Sequence, residues 1–157
     1  MSLCRRFLLI LSILFWQGGF MFYGGVVVPV GGRILGSETE QGFITQSVTN
    51  YLNLAGAVCL LTWGVVLWVD GHHAPRLRLL SWTLWAGLVA GLAVLLVVHL
   101  CMERLLDVES RSVLEQDHFG WLHGAYIATS SAQWLASLIL LGFTLRGWQV
   151  ADGRRLV

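Results

Sequence analysis

Length, composition and charge together place this chain among integral membrane proteins. Its 157 residues are 56% hydrophobic and only 12% charged, with a formal net charge of +1, whereas a soluble domain usually carries about twice that share of charged residues. The small net charge excludes a strongly basic nucleic-acid-binding surface, and the three cysteines, far apart and without a CxxC pair, suggest neither a disulfide framework nor a cysteine zinc site.

Four stretches of the chain contain no Asp, Glu, Lys or Arg: residues 7–32, 41–69, 79–102 and 118–145. Each is longer than the about 20 residues that an α-helix needs to cross the hydrocarbon core of a bilayer. What remains is tails and short connectors, so the sequence predicts one all-α domain over residues 1–157. We expect a polytopic membrane protein, a four-transmembrane-helix bundle, with helices at about residues 7–31, 48–69, 79–102 and 120–145.

The first helix begins like a signal peptide, with a basic start followed by an apolar run over residues 1–19. The run is longer than a typical signal sequence, and no clear small-x-small cleavage site follows it before Gly24. We therefore predict a retained first transmembrane helix. Pro29 lies near its far end, where a kink costs little.

The connectors carry helix start and stop signals. Ser37, followed three residues later by Glu40, is a capping-box pattern, which predicts that the second helix begins outside the membrane, near Ser37. Gly71 and Pro75 break the helices on either side of the next turn. The loop over residues 103–117 mixes acidic residues with Leu and Val, and we expect a short amphipathic helix lying on the membrane surface there.

Seven of the ten arginines fall on one side of the predicted bundle and three on the other. Because cytoplasmic loops of membrane proteins are enriched in Lys and Arg, this asymmetry predicts that both termini lie in the cytoplasm, and we expect a bacterial inner (plasma) membrane. The seven arginines of the predicted inner side are Arg5, Arg6, Arg76, Arg78, Arg146, Arg154 and Arg155; those of the outer side are Arg33, Arg104 and Arg111.

Small residues recur at regular spacing along three of the four segments. Lipid supplies no hydrophobic force between helices, so such residues mark places where two backbones approach closely. We expect these rows to form helix contacts within the chain; a homodimer face, or contact with another membrane protein, is the alternative. The rows are Gly18, Gly25 and Gly32, then Gly87 and Gly91, then Gly120, Gly124, Ala128, Ala132 and Ala136.

Polar side chains inside a bilayer are costly, which makes them candidates for function. His99 and Glu103 share one face of the third helix, and His118 and His123 lie near the start of the fourth. Imidazole and carboxylate groups are ligands for zinc, copper or iron, so these four residues are a candidate metal site. His99 and His123 could also hold a b-type haem from its two faces.

Hydrogen bonding between helices is the interpretation of these histidines that we favour over a metal or haem site. Gln17 and Gln133, near the middle of the membrane, are expected to pair with each other or with backbone groups. A polar transport path is the sharper alternative for these two residues. The remaining polar side chains within the predicted helices that we single out are Asn50, Asn53 and Tyr126.

The sequence shows no nucleophile–base arrangement, no phosphate-binding loop and no zinc-protease motif. Thr129, Ser130 and Ser131 form a polar patch that we expect to bond to its own backbone carbonyls. We therefore expect a non-enzymatic protein without a cofactor, acting as an accessory subunit of a larger membrane assembly. The rival hypotheses are a haem b or copper protein for redox or metal handling, and a small transporter.

Two stretches of the sequence resemble a known family. One is the Gly-rich first helix, which ends in Val-Val-Val-Pro-Val at residues 26–30; the other is Phe-Gly-Trp-Leu-His-Gly at residues 119–124. Together they resemble the family of four-helix proteins that includes the transmembrane protein 205 group, although Tyr126 stands where a Ser is common in that family. The family has no settled biochemical activity, so the resemblance implies a fold and a membrane location. A looser likeness links the Gly-rich helices and His to the membrane domain of copper-resistance protein D.

Overall fold

The computed structural model describes residues 3–70, 75–107 and 112–153, which are almost entirely helical. Helix α1 (Leu3–Phe22) continues through a π-helical turn (Tyr23–Val27) into α2 (Val28–Leu35). Two long helices follow, and after a two-stranded hairpin the last helix closes the chain. These elements are α3 (Glu38–Asp70), α4 (Pro75–Glu103), β1 (Leu106–Asp107), β2 (Ser112–Val113) and α5 (Gln116–Gly153).

The prediction of four helices that could span a membrane is confirmed. Within the described residues, four helices are long and apolar enough to cross a bilayer: Leu3–Leu35, Glu40–Val69, Pro75–Glu103 and Gln116–Gly153. Each extends beyond the bounds predicted for it, because a charged residue ends a membrane segment but does not end a helix. The 38 residues of α5 span about 57 Å at 1.5 Å per residue, more than the hydrocarbon core of ~30 Å requires.

Near Pro29, the helix contains a π-helical turn, Tyr23–Val27, that ends two residues before the proline. The amide of Val28 donates to the carbonyl of Tyr23, five residues earlier, instead of the usual four. Proline has no N–H to donate, and its ring crowds the preceding turn, so a π-helical turn lets the helix continue past it. The helix ends at Gly36, whose left-handed φ of 64° suits a residue without Cβ.

The second long helix begins where the capping pattern predicted. The amide of Glu40 donates to the Ser37 hydroxyl at 3.3 Å, and the amide of Gln41 donates to the Ser37 carbonyl at 3.2 Å. These bonds satisfy amide groups that the first turn of a helix leaves without an internal partner.

The prediction of an amphipathic surface helix between the last two long helices is wrong. Residues 106–107 and 112–113 pair as an antiparallel hairpin, with Leu106 opposite Val113 and Asp107 opposite Ser112. The amide of Leu114 also donates to the carbonyl of Leu105 at 2.9 Å. The connector must reverse direction between two antiparallel helices, which a hairpin achieves within few residues. Residues 108–111 lie outside the described part of the chain.

The long helices pack in sequence, α1 against α3, α3 against α4 and α4 against α5. The first and last helices meet near the two ends of the chain, where both nitrogens of the Arg6 guanidinium fork donate to Asp152, at 2.6 and 2.7 Å. The same guanidinium lies 5.1 Å from the centre of the Trp148 ring. We call this the termini end of the bundle, and the opposite end, which carries β1 and β2, the hairpin end.

The hydrophobic core extends from the middle of the bundle towards the termini end. The outer faces of the long helices carry exposed apolar side chains such as Leu14, Leu61, Val97 and Leu135, a surface compatible with lipid and unfavourable in water. The buried core consists of Leu9, Ile13, Trp16, Cys59, Leu60, Trp63, Val66, Leu67, Leu88, Leu92, Leu140 and Trp148.

Candidate functional site

Buried side chains in the hairpin half of the bundle are mostly polar. Leu95 and Leu122 are buried there, but neither belongs to the hydrophobic core. Burying polar groups at membrane depth is unfavourable unless they are paired or functional, so this half holds the candidate site. The buried polar residues of this half are Gln41, Thr49, Asn53, His99 and Ser130.

His99 sits in the interior of the bundle beside Glu103. Its side chain is 7% exposed, and its Nε2 lies 3.2 Å from Oε1 of Glu103, whose side chain is 30% exposed. The two atoms are close but are not aligned for a hydrogen bond, so Nε2 has no hydrogen-bond partner within the described residues. The Glu103 carboxylate therefore lies between the buried imidazole and the surface of the bundle, and it makes no aligned hydrogen bond to Nε2 of His99.

Tyr126 joins the histidine to the other side of the bundle. Its ring centre lies 6.4 Å from that of His99, and its hydroxyl donates to Oδ1 of Asn53 at 3.0 Å, crossing from α5 to α3. Ser130 follows Tyr126 by four residues and therefore lies on the same face of α5, one turn further on. We call Asn53, His99, Tyr126 and Ser130 the polar cluster.

Among the described residues, three atoms of the polar cluster are buried without a well-aligned hydrogen-bond partner. Besides Nε2 of His99, they are Nδ2 of Asn53 and Oγ of Ser130. Their residues come from three helices, and each is at most 6% exposed. Buried polar atoms are nearly always hydrogen-bonded in native proteins, so these three atoms mark the cluster as a place where hydrogen-bonding capacity is left unused.

The four predicted metal ligands are not gathered at one point. His99 faces the interior with Glu103, whereas His123 is exposed and stacks on Phe119, with ring centres 6.3 Å apart. His118 is also exposed and lies 3.4 Å from Glu115. Within the described residues, no three His, Cys, Asp or Glu side chains are arranged to hold a metal ion. The metal and haem hypotheses therefore stay predictions, with His99 and Glu103 as the two residues that the fold brings together.

Gln133 bonds to backbone rather than to a second glutamine. Its Nε2 donates to the carbonyl of Leu88 at 2.8 Å, and it fits against Gly91, where an added Cβ would lie 2.9 Å from the same nitrogen. The Gly91 position of the second small-residue row thus forms a helix contact within the chain, as predicted. Gln17 is buried on α1.

Four of the five residues in the small-residue row of α5 face outward, which corrects the expectation of a contact within the chain; the fifth, Ala136, packs against the hydrophobic core as expected. Gly120, Gly124, Ala128 and Ala132 are all exposed, and a Cβ added at either glycine would meet no atom within 4 Å. The buried side of α5 is instead the face of Tyr126, Ser130 and Gln133. Spacing alone cannot tell these two faces apart, because both repeat every three to four residues.

From the sequence, Asn53 and Tyr126 are recognisable only as polar side chains within the membrane segments. Ser130 is expected to hydrogen-bond to a backbone carbonyl of its own helix. Their membership of one cluster with His99 depends on helix packing and carries no signal in the sequence. In comparisons with known proteins, no family model, no curated protein and no solved structure matches this chain.

Proposed function

We propose that this protein is a non-enzymatic accessory subunit of a bacterial inner-membrane assembly and that it binds its partner through the outward face of α5. That face consists of Gly120, Gly124, Ala128, Ser131 and Ala132, and we call it the small-residue face. The observation that carries the proposal is its exposure, since the chain itself does not use it.

The physical argument concerns how helices associate in lipid. Large apolar side chains gain little by leaving lipid for another helix, so association depends on close backbone packing and on interhelical hydrogen bonds. Glycines in a helix are unfavourable by about 1 kcal/mol each relative to alanine, and at positions that only face lipid they bring no compensation. Ser131 is exposed on the same face and offers a hydroxyl to a neighbouring helix.

Site-directed crosslinking in native membranes tests this proposal. A photoreactive residue at Ala128 should crosslink to one defined membrane protein, and Gly124→Leu should abolish that product. The matched control is Ala93→Leu, which enlarges a small exposed residue on α4 and should leave the product unchanged. Crosslinks to lipid alone contradict the proposal, and crosslinks to a second copy of this chain replace the accessory role with a homodimer.

We also propose that both termini lie in the cytoplasm. The first and last helices meet at one end, through Arg6 and Asp152, which agrees with an even number of crossings. The arginine excess at this end supports a cytoplasmic location. Reporter fusions at residues 1 and 157 should both report the cytoplasm; opposite locations for the two fusions would contradict the four-crossing topology.

A further inference from the structure

We infer that Asp117 and Trp121, at the hairpin end of α5, bind an arginine side chain of the partner protein. This rests on the proposed function, because both residues lie on the small-residue face through which the partner is expected to bind. It adds the chemical group that the partner must bring to the hairpin end of this face. A pair of side chains of the same composition already binds an arginine at the other end of the same helix.

At the termini end of α5, Trp148 and Asp152 together bind Arg6 of α1. The guanidinium fork donates to both carboxylate oxygens, at 2.6 and 2.7 Å, and its carbon lies 5.1 Å from the centre of the indole ring. The two residues are four apart, so they lie on one face of the helix. A carboxylate accepts two parallel hydrogen bonds from a planar guanidinium, and an aromatic ring attracts its positive charge.

Asp117 and Trp121 repeat this combination at the hairpin end. They too are four residues apart on one face of α5. In both pairs the carboxylate lies closer to an end of the helix and the indole lies one turn nearer its middle, because α5 runs from Gln116 to Gly153. The order of the two residues along the chain is reversed, as two equivalent pairs at opposite ends of one helix require.

No side chain of the described residues occupies the second pair. Trp121 is 71% exposed, whereas Trp148 is 6% exposed. Asp117 is also exposed, and its carboxylate forms no hydrogen bond or ion pair within the described part of the chain. The nearby acid Glu115 instead lies 3.4 Å from His118. An exposed carboxylate and an exposed indole are therefore available together to a group from outside the chain.

The pair is continuous with the small-residue face. Asp117 precedes Gly124 by seven residues, and Trp121 precedes Ala128 by seven. Seven residues are about two turns of an α-helix, so the members of each of these two pairs project from nearly the same side. A helix that packs along the small-residue face thereby passes beside the Asp117 carboxylate and the Trp121 ring.

The depth of the pair suits an arginine. Counted from Arg146, about 20 residues of α5 cover the hydrocarbon core, so Trp121 lies in the interfacial region of the hairpin side and Asp117 one turn beyond it. There an arginine can keep its charge near water while its alkyl stem lies against apolar groups. The helix dipole favours an aspartate in a first turn and the interface favours a tryptophan, but neither effect places both on one face.

The charge of Asp117 favours a different protein over a second copy as the partner. Two copies in the same orientation that meet through this face are related by a two-fold axis, which brings each residue to the depth of its counterpart. The two Asp117 carboxylates would then approach each other, and like charges repel. Arginine fits better than lysine, because one planar group can bond to the carboxylate and stack on the indole.

Site-directed crosslinking of the full-length protein in native membranes tests the inference. A photoreactive residue at His118, which is exposed beside Asp117, should capture a partner segment within one helical turn of an arginine, as mapped by mass spectrometry. Capture of a segment without an arginine, of a second copy of this chain, or of a phospholipid with an ammonium headgroup alone would overturn it.

Variants at the pair measure its contribution, with the partner product of a photoreactive residue at Ala128 as the readout. Asp117→Asn and Trp121→Leu should each lower the yield roughly five-fold, the loss expected for one guanidinium contact at an interface. Asp117→Arg should lower it further, because it repels the incoming guanidinium. The matched control is Glu115→Gln, which removes the same charge from the same end of the bundle and should leave the yield unchanged.

These outcomes separate the arginine site from the proposed function. An Ala128 product whose yield is unaffected by Asp117→Asn and Asp117→Arg contradicts the arginine site and leaves the small-residue face as the binding surface. An equal loss with Glu115→Gln also contradicts the site, because it shows a general effect of charge. No partner product from Ala128 in the unaltered chain contradicts both the site and the proposed function.

Discussion

The two ends of the bundle are built on different principles. At the termini end, buried aromatic and aliphatic side chains fill the interior, and two indoles are hydrogen-bonded there: that of Trp63 donates to the hydroxyl of Thr144 at 3.0 Å, and that of Trp85 donates to the carbonyl of Leu60 at 2.8 Å. At the hairpin end the buried side chains are largely polar, and three atoms of the polar cluster have no partner.

This difference indicates that one half of the bundle supplies stability and the other half holds the candidate site. The termini half carries the stability, because dense packing and satisfied hydrogen bonds are what hold helices together in lipid. The hairpin half gives up part of that packing and retains polar groups that a stable bundle does not need. Substitutions at equivalent depth in the two halves should therefore have unequal effects on the free energy of unfolding.

The largest effect is expected at Trp63, which is fully buried in the core. Trp63→Ala should lower the free energy of unfolding by about 3–5 kcal/mol, because it leaves a large cavity in the core. Unfolding in mixed detergent micelles measures this. The control is Trp68→Ala on the same helix, since Trp68 is 79% exposed and should change stability little. Equal losses for the two tryptophans would contradict a core in this half.

The next effect concerns the contact between α1 and α3. A Cβ added at Gly56 would lie 2.8 Å from Nε1 and 2.9 Å from Cε2 of Trp16, which is itself buried. Gly56→Ala should therefore cost about 1–3 kcal/mol through overpacking. Gly18→Ala on α1, where a Cβ meets nothing within 4 Å, should be neutral or slightly stabilising. Melting temperatures of the two variants in detergent decide the point, and a neutral Gly56→Ala would refute the close approach.

A smaller effect is expected from the ion pair that joins the two chain ends. The side chains of Arg6 and Asp152 are 19% and 49% exposed, so solvent screens the pair and it should contribute only about 1 kcal/mol despite its two parallel hydrogen bonds. A double-mutant cycle with Arg6→Gln and Asp152→Asn measures the coupling. Its decrease at high salt would support this assignment, and zero coupling at low salt would argue against it.

The smallest effect on stability is expected in the polar cluster. Ser130→Ala removes a buried hydroxyl without a partner and should change stability by about 0 kcal/mol or raise it slightly. In the termini half, Thr144→Val should cost about 1–3 kcal/mol, because it leaves the indole N–H of Trp63 unpaired. Similar losses for these two variants, in the same unfolding assay, would remove the distinction between the halves.

The sequence predicted the helices well and the connections between them unevenly. The charge-free stretches identified four helices, because a side chain such as Arg33 or Arg78 is costly in lipid, and the Ser37 cap fixed the start of α3, because its bonds are local. The hairpin after α4 was missed, since the spacing of Leu106, Val113 and Leu114 fits a surface helix as well as a strand pair.

In the candidate site, too, the sequence predicted contacts within one helix but not contacts between helices. His99 and Glu103 could be placed together from the sequence because four residues along a helix make one face. His123 could not be assigned to the interior or the exterior, because both faces of α5 repeat with helical spacing. Only packing turned the small-residue face outward and the face of Tyr126 inward.

By itself, the sequence determined the number of helices, their approximate bounds and the local cap at Ser37, because hydrophobic transfer and capping depend on residues near one another in the chain. The tertiary structure alone decided which face of each helix is buried and which residues from α3, α4 and α5 meet. Those outcomes depend on rotations of whole helices about their axes, and a rotation is fixed by contacts between residues as distant as Asn53 and Tyr126.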